Sequence, residues 1–452
     1  MSPTTAQHRP IIPPAVLYPA HVAHLGRAYA AAIEDAGYDA LVIDGGAAVP
    51  KSRFDDQDWP FRPAPGFAHW LPLAEPDAWL VVESGRRPRL LRRHQSSYWE
   101  APPPSVGEEV WSELDTAAIA GDALARELPQ GKRTAYLGED AARAAAAGIA
   151  AEHVNPPALV ARLDAIRALK TDYERECILE ANRRAVRGHQ RVFGAFSIAD
   201  KSELELHLLY LEVTGQDDQE APYKGIVALG RHAATLHHVS YDREPSRRAV
   251  QSLLVDAGAT CRGYASDVTR TAIKGQSGGA ASVFADLIVR VETLQQDVIR
   301  RIRPGMPYED LHDQSHVLLA PILRELDMVR ASDDELVGRG VTRRFLPHGL
   351  GHSLGIQVHD VGCRTAPPRP ENPFLRNTTP ITAGQVFTIE PGCYFIPELL
   401  AELRRDPIAE RVNWPLVDQL GDFGGVRIED DVAVLEQGVR NLTREAWQAM
   451  AS

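Results

Sequence analysis

Four acidic residues that end or follow apolar, strand-like runs are the feature that most constrains how this chain folds. Asp256 ends one such run, and Asp267 follows it after a segment containing two glycines. Glu390 ends a second run, VFTI, and Glu429 follows a third, VRI. A buried carboxylate is costly unless a cation or hydrogen-bond donors lie beside it. Any one of these acids alone is most simply a hydrogen-bonded structural residue, but four together need a common explanation.

Histidines flanked by glycines complete the pattern. His348, His352 and His359 lie within twelve residues, and His237 is followed directly by His238. Carboxylate oxygens can bridge two divalent ions, and a two-metal site can hold a hydrolytic water between them. The acids and histidines therefore predict a dinuclear metal site, although spacing alone does not decide which imidazole is the ligand.

The composition narrows the class of partner and compartment. The chain of 452 residues has a formal net charge of −12 and no long lysine or arginine cluster, so it would repel the phosphate backbone of nucleic acids. No apolar stretch reaches the roughly 18 residues of a membrane span, and the polar, Pro-rich N-terminus lacks the apolar core of a signal peptide. With four cysteines and no C-x-x-C pair, we expect reduced thiols and a cytoplasmic protein.

Changes in residue pattern along the chain predict two domains that meet near Asp164. Residues 1–164 read as a helix over 24–36, a buried strand over 39–44, a hairpin from 78–83 and 89–91, and an alanine-rich helix over 141–151. Residues 165–452 carry amphipathic helices over 169–196 and 283–298, and Ser202 with Glu205 predicts a capped helix start between them. We expect an α+β protein with a smaller mixed α/β N-terminal domain and a larger catalytic domain.

Five segments of the larger domain resemble, in order and spacing, the metal-site blocks of the methionine aminopeptidase/prolidase family. They are LVDAGA at 254–259, ASDVTRT at 265–271, HGLGH at 348–352, TIEPG at 388–392 and GVRIED at 425–430. The segments APYKGIVAL at 221–229, QVHD at 357–360 and EPGCYF at 390–395 are similar to the bacterial Xaa-Pro dipeptidase (prolidase) branch, as is the loop at 54–61. The resemblance implies the family's pita-bread fold for the C-terminal domain.

The resemblance also assigns the metal ligands. It implies that Asp256 chelates one ion, that Asp267 and Glu429 bridge two ions, and that His352 binds the second ion together with Glu390. Two divalent ions per subunit are expected. Oxygen-rich ligands with one imidazole agree with manganese, while cobalt and zinc remain alternatives.

The implied reaction is hydrolysis of an amide by a hydroxide held between the two ions. Glu390 is expected to carry a proton to the leaving nitrogen. His237 and His359 are expected to donate hydrogen bonds to the substrate carbonyl oxygen as negative charge develops on it. Arg427, two residues before Glu429, is expected to hold that bridging acid in place.

The implied substrates are Xaa-Pro dipeptides. The Xaa-Pro amide has no N–H and carries a rigid ring, so we expect Tyr223 and His348 to form walls around a pyrrolidine. Arg376 stands where the family has a carboxylate-binding arginine, and a guanidinium suits a free carboxylate. By analogy with relatives, the chain forms a homodimer in which the N-terminal domain of a second subunit closes over the active site. Asp56 of a second subunit would then attract the substrate ammonium group.

Other functions remain open. His238 occupies a position where relatives often have Tyr, so the pocket chemistry there departs from the family. An aminopeptidase P acting on longer peptides is the alternative within the family, and a non-catalytic peptide-binding protein on the same fold is the alternative of another class. The complete ligand set favours an enzyme over a binding protein. A weak side activity on organophosphate triesters is also expected.

Overall fold

The computed structural model describes residues 12–93, 106–119, 124–217, 219–246, 251–275 and 278–451. The chain divides into two compact units, the first comprising Met1–Arg167 with Thr171–Cys177 and the second Ala168–Lys170 with Ile178–Ser452. The absence of a signal peptide was predicted from the N-terminal segment. Residues 1–11, which make up most of that segment, lie outside the described residues.

The first unit is built on one mixed sheet. Its elements, the last of which ends at the border with the second unit, are α1 (Pro14–Asp35), β1 (Ala40–Asp44), α2 (Pro65–Ala68), β2 (Ala78–Glu83), β3 (Arg89–Arg92), α3 (Glu108–Trp111), β4 (Asp115–Ala118), α4 (Leu124–Glu127), β5 (Thr134–Leu137), α5 (Ala141–Ala146) and α6 (Pro157–Ala168). The strand order is β4-β3-β2-β1-β5. Strand β1 is wholly buried and pairs antiparallel with β2 and parallel with β5, as its unbroken apolar run predicts.

Two helices of this unit differ in length from their predicted bounds. Helix α1 begins at Pro14 rather than at residue 24, because proline needs no hydrogen-bonded N–H in the first turn and buried Tyr18 and Val22 anchor the early turns. Helix α5 ends at Ala146 rather than at residue 151. Gly148 has φ +78°, a left-handed conformation that commonly ends a helix.

The second unit combines long helices with short antiparallel ladders. Its elements, the first of which begins in the first unit, are α7 (Asp172–Ile198), α8 (Glu203–Thr214), β6 (Ile226–Leu229), β7 (Ser252–Asp256), β8 (Thr260–Cys261), β9 (Tyr264–Ala265), β10 (Thr269–Ile273), α9 (Gly279–Arg301), α10 (Tyr308–Glu325), α11 (Asp333–Gly338), α12 (Val341–Phe345), β11 (Val386–Ile389), β12 (Gly392–Tyr394), α13 (Pro397–Leu403), α14 (Trp414–Leu420), β13 (Gly425–Arg427), β14 (Asp430–Val434), β15 (Val439–Asn441) and α15 (Leu442–Ala451). The sheets have the orders β10-β7-β6, β11-β14-β15, β12-β13 and β8-β9. The α+β class predicted from the sequence is confirmed.

The connection between β7 and β10 shows why the first two acids come close together. The two strands are antiparallel, with Asp256 opposite Thr269, and the small hairpin β8–β9 fills the connection between them. At Gly258 a Cβ atom would lie 1.9 Å from the carbonyl oxygen of Ser266. Only glycine therefore allows the two ends of this connection to approach each other.

Helices pack against these ladders and form the core of the second unit. The predicted capping box at the start of α8 is present, with Ser202 and Glu205 bonded to each other's backbone N–H. Helix α9 buries the predicted apolar stripe, including Phe284, Leu287 and Val291. Over the described residues no helix is both long and apolar enough to cross a membrane, and none of the four cysteines forms a disulfide bond there.

Candidate metal centre

The four acids lie at the ends of strands of the second unit, around Thr269. Asp256 is the last residue of β7 and pairs with Thr269 in the sheet. Glu429 lies between β13 and β14, and its N–H donates to the carbonyl oxygen of Thr269 at 3.1 Å. Asp267 precedes β10, and Glu390 follows β11 directly. Acids that are far apart in the sequence are thus gathered where several short strands end.

His352 faces these acids with the nitrogen that a metal would use. Oxygen and nitrogen atoms of Asp267, His352 and Glu429 lie within 4.8 Å of one another. The Nε2 atom of His352 is 3.4 Å from Asp267 Oδ2 and 3.6 Å from Glu390 Oε1. Its Nδ1 atom is 3.2 Å from the carbonyl oxygen of Ser353 and must donate there, because a carbonyl only accepts. The lone pair of Nε2 therefore points at the acids, as in metal-ligating histidines.

Burial and mutual repulsion of these acids favour a positive charge beside them. Burial, and then repulsion from Asp256, raise the pKa of Asp267 well above its usual range. Burial, followed by repulsion from Asp267 and Glu390, does the same to the pKa of Glu429, and burial raises the pKa of Glu390 to about 7. Hard divalent cations prefer such oxygen-rich donors. The residues present therefore fit divalent metal ions.

Arg427 is buried among these acids, but its contact differs from the expected one. Its Nη2 atom donates to Asp256 Oδ2 at 2.6 Å, and its Nη1 atom donates to the Tyr394 hydroxyl at 2.9 Å. The acid that it was expected to hold, Glu429, instead accepts a hydrogen bond from the Thr269 hydroxyl at 2.6 Å. Residues two apart on an extended strand share a face, but β13 ends at Arg427 and Glu429 lies beyond that end, so the interval of two residues did not determine which acid the guanidinium contacts.

Tyr223 also has a contact that the sequence did not predict. Tyr223 lines the cavity, as a substrate wall would, but its hydroxyl oxygen lies 2.8 Å from Asp256 Oδ1 and 2.5 Å from Asp267 Oδ1, so its single proton is shared between the two carboxylates. Sequence reasoning missed a second support as well. Asp431 accepts from the N–H of Asp267 at 3.1 Å and from Asn182 at 2.7 Å. The run of three acids at 429–431 was the available signal.

A cavity of about 740 Å³ contains most of the predicted site residues. Its lining is drawn from the second unit and includes the predicted metal ligands and the predicted substrate and catalytic residues Asp256, Asp267, His352, Glu390, Glu429, Tyr223, His237, His348, His359, Arg376 and Arg427. This volume lies within the usual range of roughly 300–1,000 Å³ for small-molecule sites. Asp56 belongs to the first unit, where it is exposed in the loop after β1.

Two imidazoles of the cavity, those of His348 and His359, are held neutral. His348 Nδ1 donates to the carbonyl oxygen of Gly349 at 2.8 Å, so its Nε2 must accept from the Tyr394 hydroxyl, also at 2.8 Å. Burial lowers the pKa of His348 to about 3 and that of His359 to about 4. Both nitrogens of His348 are thus engaged, which leaves its ring surface for contact with a ligand.

Arg376 contributes a free positive charge to the same cavity. Its side chain is exposed, and it makes no ion pair or hydrogen bond with any residue of the described ranges. A guanidinium without a carboxylate partner inside a concave site is available to an anionic ligand group. Arg364 also lines the cavity.

Comparison with known proteins identifies the class. The profile of metallopeptidase family M24 matches residues 176–436, so the chain belongs to that family and is a hydrolase. The profile named Xaa-Pro dipeptidase, N-terminal domain, matches residues 16–164. The family predicted from the five motifs is confirmed, and it implies divalent metal ions.

Individual relatives are similar over nearly the whole chain. The Xaa-Pro dipeptidase of Marinobacter nauticus is 42% identical over 431 residues, covering 95% of this chain and 98% of the relative. The Xaa-Pro dipeptidase of Pseudoalteromonas atlantica is 38% identical with the same coverage. Aminopeptidase P from E. coli has a TM-score of 0.73 at 22% identity, covering 96% of this chain and 98% of that one. This structural likeness supports the pita-bread fold, which the family match also gives.

Proposed function

We propose that the chain is an Xaa-Pro dipeptidase that hydrolyses the bond before proline with two divalent ions per subunit. The observation that carries the proposal is that the five ligand residues and the unpaired Arg376 line one cavity. Relatives 38–42% identical carry the name Xaa-Pro dipeptidase. Asp256, Asp267, His352, Glu390 and Glu429 would hold the ions, for which manganese is proposed, with cobalt or zinc as alternatives.

The chain's own residues would act on the substrate as follows. The ions, when bound, would supply a water of lowered pKa and polarise the scissile carbonyl. Glu390 would carry a proton from the attacking water to the leaving proline nitrogen. His237 and His359 would donate to the carbonyl oxygen as it gains negative charge. Arg427 would hold Asp256 in its ligating orientation through their 2.6 Å hydrogen bond.

Substrate choice would rest on two groups of the same cavity. The ring surface of His348, whose nitrogens are both hydrogen-bonded, would pack against the pyrrolidine together with the ring of Tyr223. Arg376 would bind the free carboxylate that only a dipeptide places next to proline. A longer peptide lacks that charge at this position, so the arginine favours dipeptides over the substrates of an aminopeptidase P.

We further propose roles for the first unit and for a second subunit. Residues 1–164 would serve dimerisation and closure of the active site, and Asp56 of a second copy would attract the substrate ammonium group. Its exposed position in a loop supports this role. Substitution of Asp56 by Asn should raise KM for dipeptides and leave the dimer intact, as judged by size-exclusion chromatography.

The test compares peptide lengths on purified, Mn²⁺-loaded protein. We expect cleavage of an Xaa-Pro dipeptide but not of an Xaa-Pro-Xaa tripeptide, and no cleavage by Asp267→Ala. Arg376→Met should lower kcat/KM for the dipeptide roughly 10–100-fold, the value of a charged hydrogen bond, whereas Arg364→Met is the matched control.

The alternatives give different results in that assay. Cleavage of the tripeptide alone would assign the chain to the aminopeptidase P type, and absence of both metal binding and cleavage would indicate a binding protein. We also propose a weak hydrolysis of organophosphate triesters. It should disappear in Asp267→Ala together with the dipeptidase activity.

A further inference from the structure

A second group of one carboxylate and two imidazoles lies apart from the acids of the metal centre. Glu203, the first residue of α8, is fully buried. Its Oε1 is 2.7 Å from His232 Nδ1, and its Oε2 is 2.8 Å from His238 Nε2. The two rings stack with their centroids 4.4 Å apart.

The Glu203 carboxylate accepts four hydrogen bonds. The backbone N–H of Leu229 donates to Oε1, and that of Asp242 donates to Oε2, both at 2.9 Å. Both imidazoles must also donate, because an ionised carboxylate only accepts. Although burial raises the pKa of Glu203, the hydrogen bonds, with that from His232 the largest, bring it down to about 2. The carboxylate is therefore ionised and has a donor for each of its main acceptor directions, so no cation is needed here.

These four donors belong to one segment, residues 229–242. Leu229 ends β6, and Asp242 lies at the far end of the segment. His232 lies in a short 3₁₀ turn, Gly230–Ala234, and His238 lies in the loop after it. Glu203 thus holds the segment at both ends and at two points between them.

The same segment carries a residue of the proposed active site. His237 is the residue next to His238, and it lines the cavity of the metal centre. Among the described residues no hydrogen bond holds the His237 ring itself, so its position follows from the backbone around it. The backbone beside it is in turn fixed by the bond from His238 to Glu203.

We propose that Glu203 is the positioning residue for His237, acting through His232, His238 and the two backbone N–H groups. The inference rests on the proposed function, in which His237 donates to the reacting carbonyl. It also assigns a role to His238, whose Nε2 supplies one of the four donors. A misplacement of a reacting group by about 1 Å can cost on the order of 100-fold in rate.

Kinetics of the Mn²⁺-loaded full-length chain on an Xaa-Pro dipeptide form the first arm of the test. Glu203→Gln should lower kcat by about 10–100-fold with little change in KM, because a carboxamide replaces one acceptor by a donor that faces other donors. In a His237→Ala background the same substitution should cause no further loss. Glu212→Gln, an exposed acid on the same helix, is the matched control and should keep wild-type kinetics.

The double-mutant comparison separates positioning from general destabilisation. A loss that multiplies with that of His237→Ala, or a wild-type kcat in Glu203→Gln, would overturn the proposal. If Glu203→Gln does not fold, His238→Phe removes one donor and keeps the carboxylate. It should show a smaller kcat loss with the same dependence on His237.

A second arm does not depend on activity. In Zn²⁺-loaded protein, imidazole ¹⁵N spectra should show one sharp His237 signal in the wild type and a shifted or broadened one in Glu203→Gln, with Glu212→Gln unchanged. An unchanged His237 signal would overturn the proposal. A wild-type enzyme that binds metal but cleaves no Xaa-Pro dipeptide would refute the proposed function instead, and the spectra would still decide the role of Glu203.

Discussion

Two groups of carboxylates and histidines in the second unit differ in their balance of hydrogen-bond donors and acceptors. Around the metal centre, four buried or half-buried acids, Asp256, Asp267, Glu390 and Glu429, share few donors, chiefly Arg427, Tyr223 and Thr269. The single carboxylate of Glu203 accepts hydrogen bonds from four donors. Both groups contain the residue types that bind metals, but only the first has more acceptors than its donors can satisfy.

The pKa directions follow from this balance. Burial and mutual repulsion raise the pKa values of Asp267 and Glu429, whereas the hydrogen bonds to Glu203 outweigh its burial and lower its pKa to about 2. A surplus of buried acceptors therefore indicates a cation, and a balanced set indicates a structural or positioning role. Proximity of carboxylate and imidazole atoms does not distinguish the two cases.

The largest expected difference between the two groups is at Glu429. We expect Glu429→Gln to lose bound metal and to lower kcat/KM by more than the roughly 100-fold typical of a supporting residue, because a carboxamide lacks the negative charge with which the proposed ligand Glu429 would hold the ions. Elemental analysis and dipeptide kinetics would measure both effects. Glu203→Gln should keep the wild-type metal content. A metal loss shared equally by the two variants would contradict the distinction between the groups.

A smaller effect is expected from the donor that supports Glu429. Thr269→Val keeps the side-chain shape but removes the hydroxyl that donates to Glu429 Oε2 at 2.6 Å. Metal affinity should fall by about 10–100-fold, as for other partners of metal ligands, and competition with a chelator would measure it. Thr293→Val, on the exposed face of α9, is the control. Equal affinities in the two variants would show that the hydroxyl does not orient the acid.

The site could be predicted from the sequence because charged residues in apolar runs are unusual whatever the fold. Asp256 and Glu390 were identified by that setting, and they lie at the ends of β7 and β11. Which cation pairs with which acid could not be predicted in the same way. Arg427 lies beside Asp256 because β7, β10 and β13 are adjacent in three dimensions. The segments 254–259 and 425–430 do not by themselves reveal how these strands are aligned with one another.

The fold likewise has features that the sequence predicts and features that depend on distant contacts. The capped start of α8 and the strand β1 were predictable, because caps and apolar runs are local signals. The early start of α1 was not, since its Pro-rich beginning is stabilised by packing of residues such as Tyr18. The contact of Glu203 with the segment 229–242 was also beyond local reasoning, because its donors come from positions 26 to 39 residues away.

The smallest expected effect concerns two buried imidazoles that form no ion pair with a carboxylate of the described residues. On α10 the Nε2 atom of His316 lies 3.4 Å from the Nε2 atom of His312. Burial lowers the pKa of His316 to about 2 and that of His312 to about 4. Hydrogen bonding to Glu203 instead raises the pKa of His232. In the unfolded chain each histidine takes up its proton near pH 6.5. The folded state resists protonation of His316, so stability present above pH 6.5 is lost as the pH falls toward the folded pKa values.

We therefore expect His316→Leu to reduce the loss of unfolding free energy between pH 7 and pH 5.5 by roughly 1 kcal/mol, because about 1.4 kcal/mol accompanies each pH unit below the unfolded pKa. Chemical denaturation at the two pH values would measure the difference. His24→Gln, at an exposed position of α1, should leave the loss unchanged. An equal pH dependence in the wild type and His316→Leu would mean that His316 is protonated in the folded state. Burial without a carboxylate would then not suffice to hold an imidazole neutral in this chain.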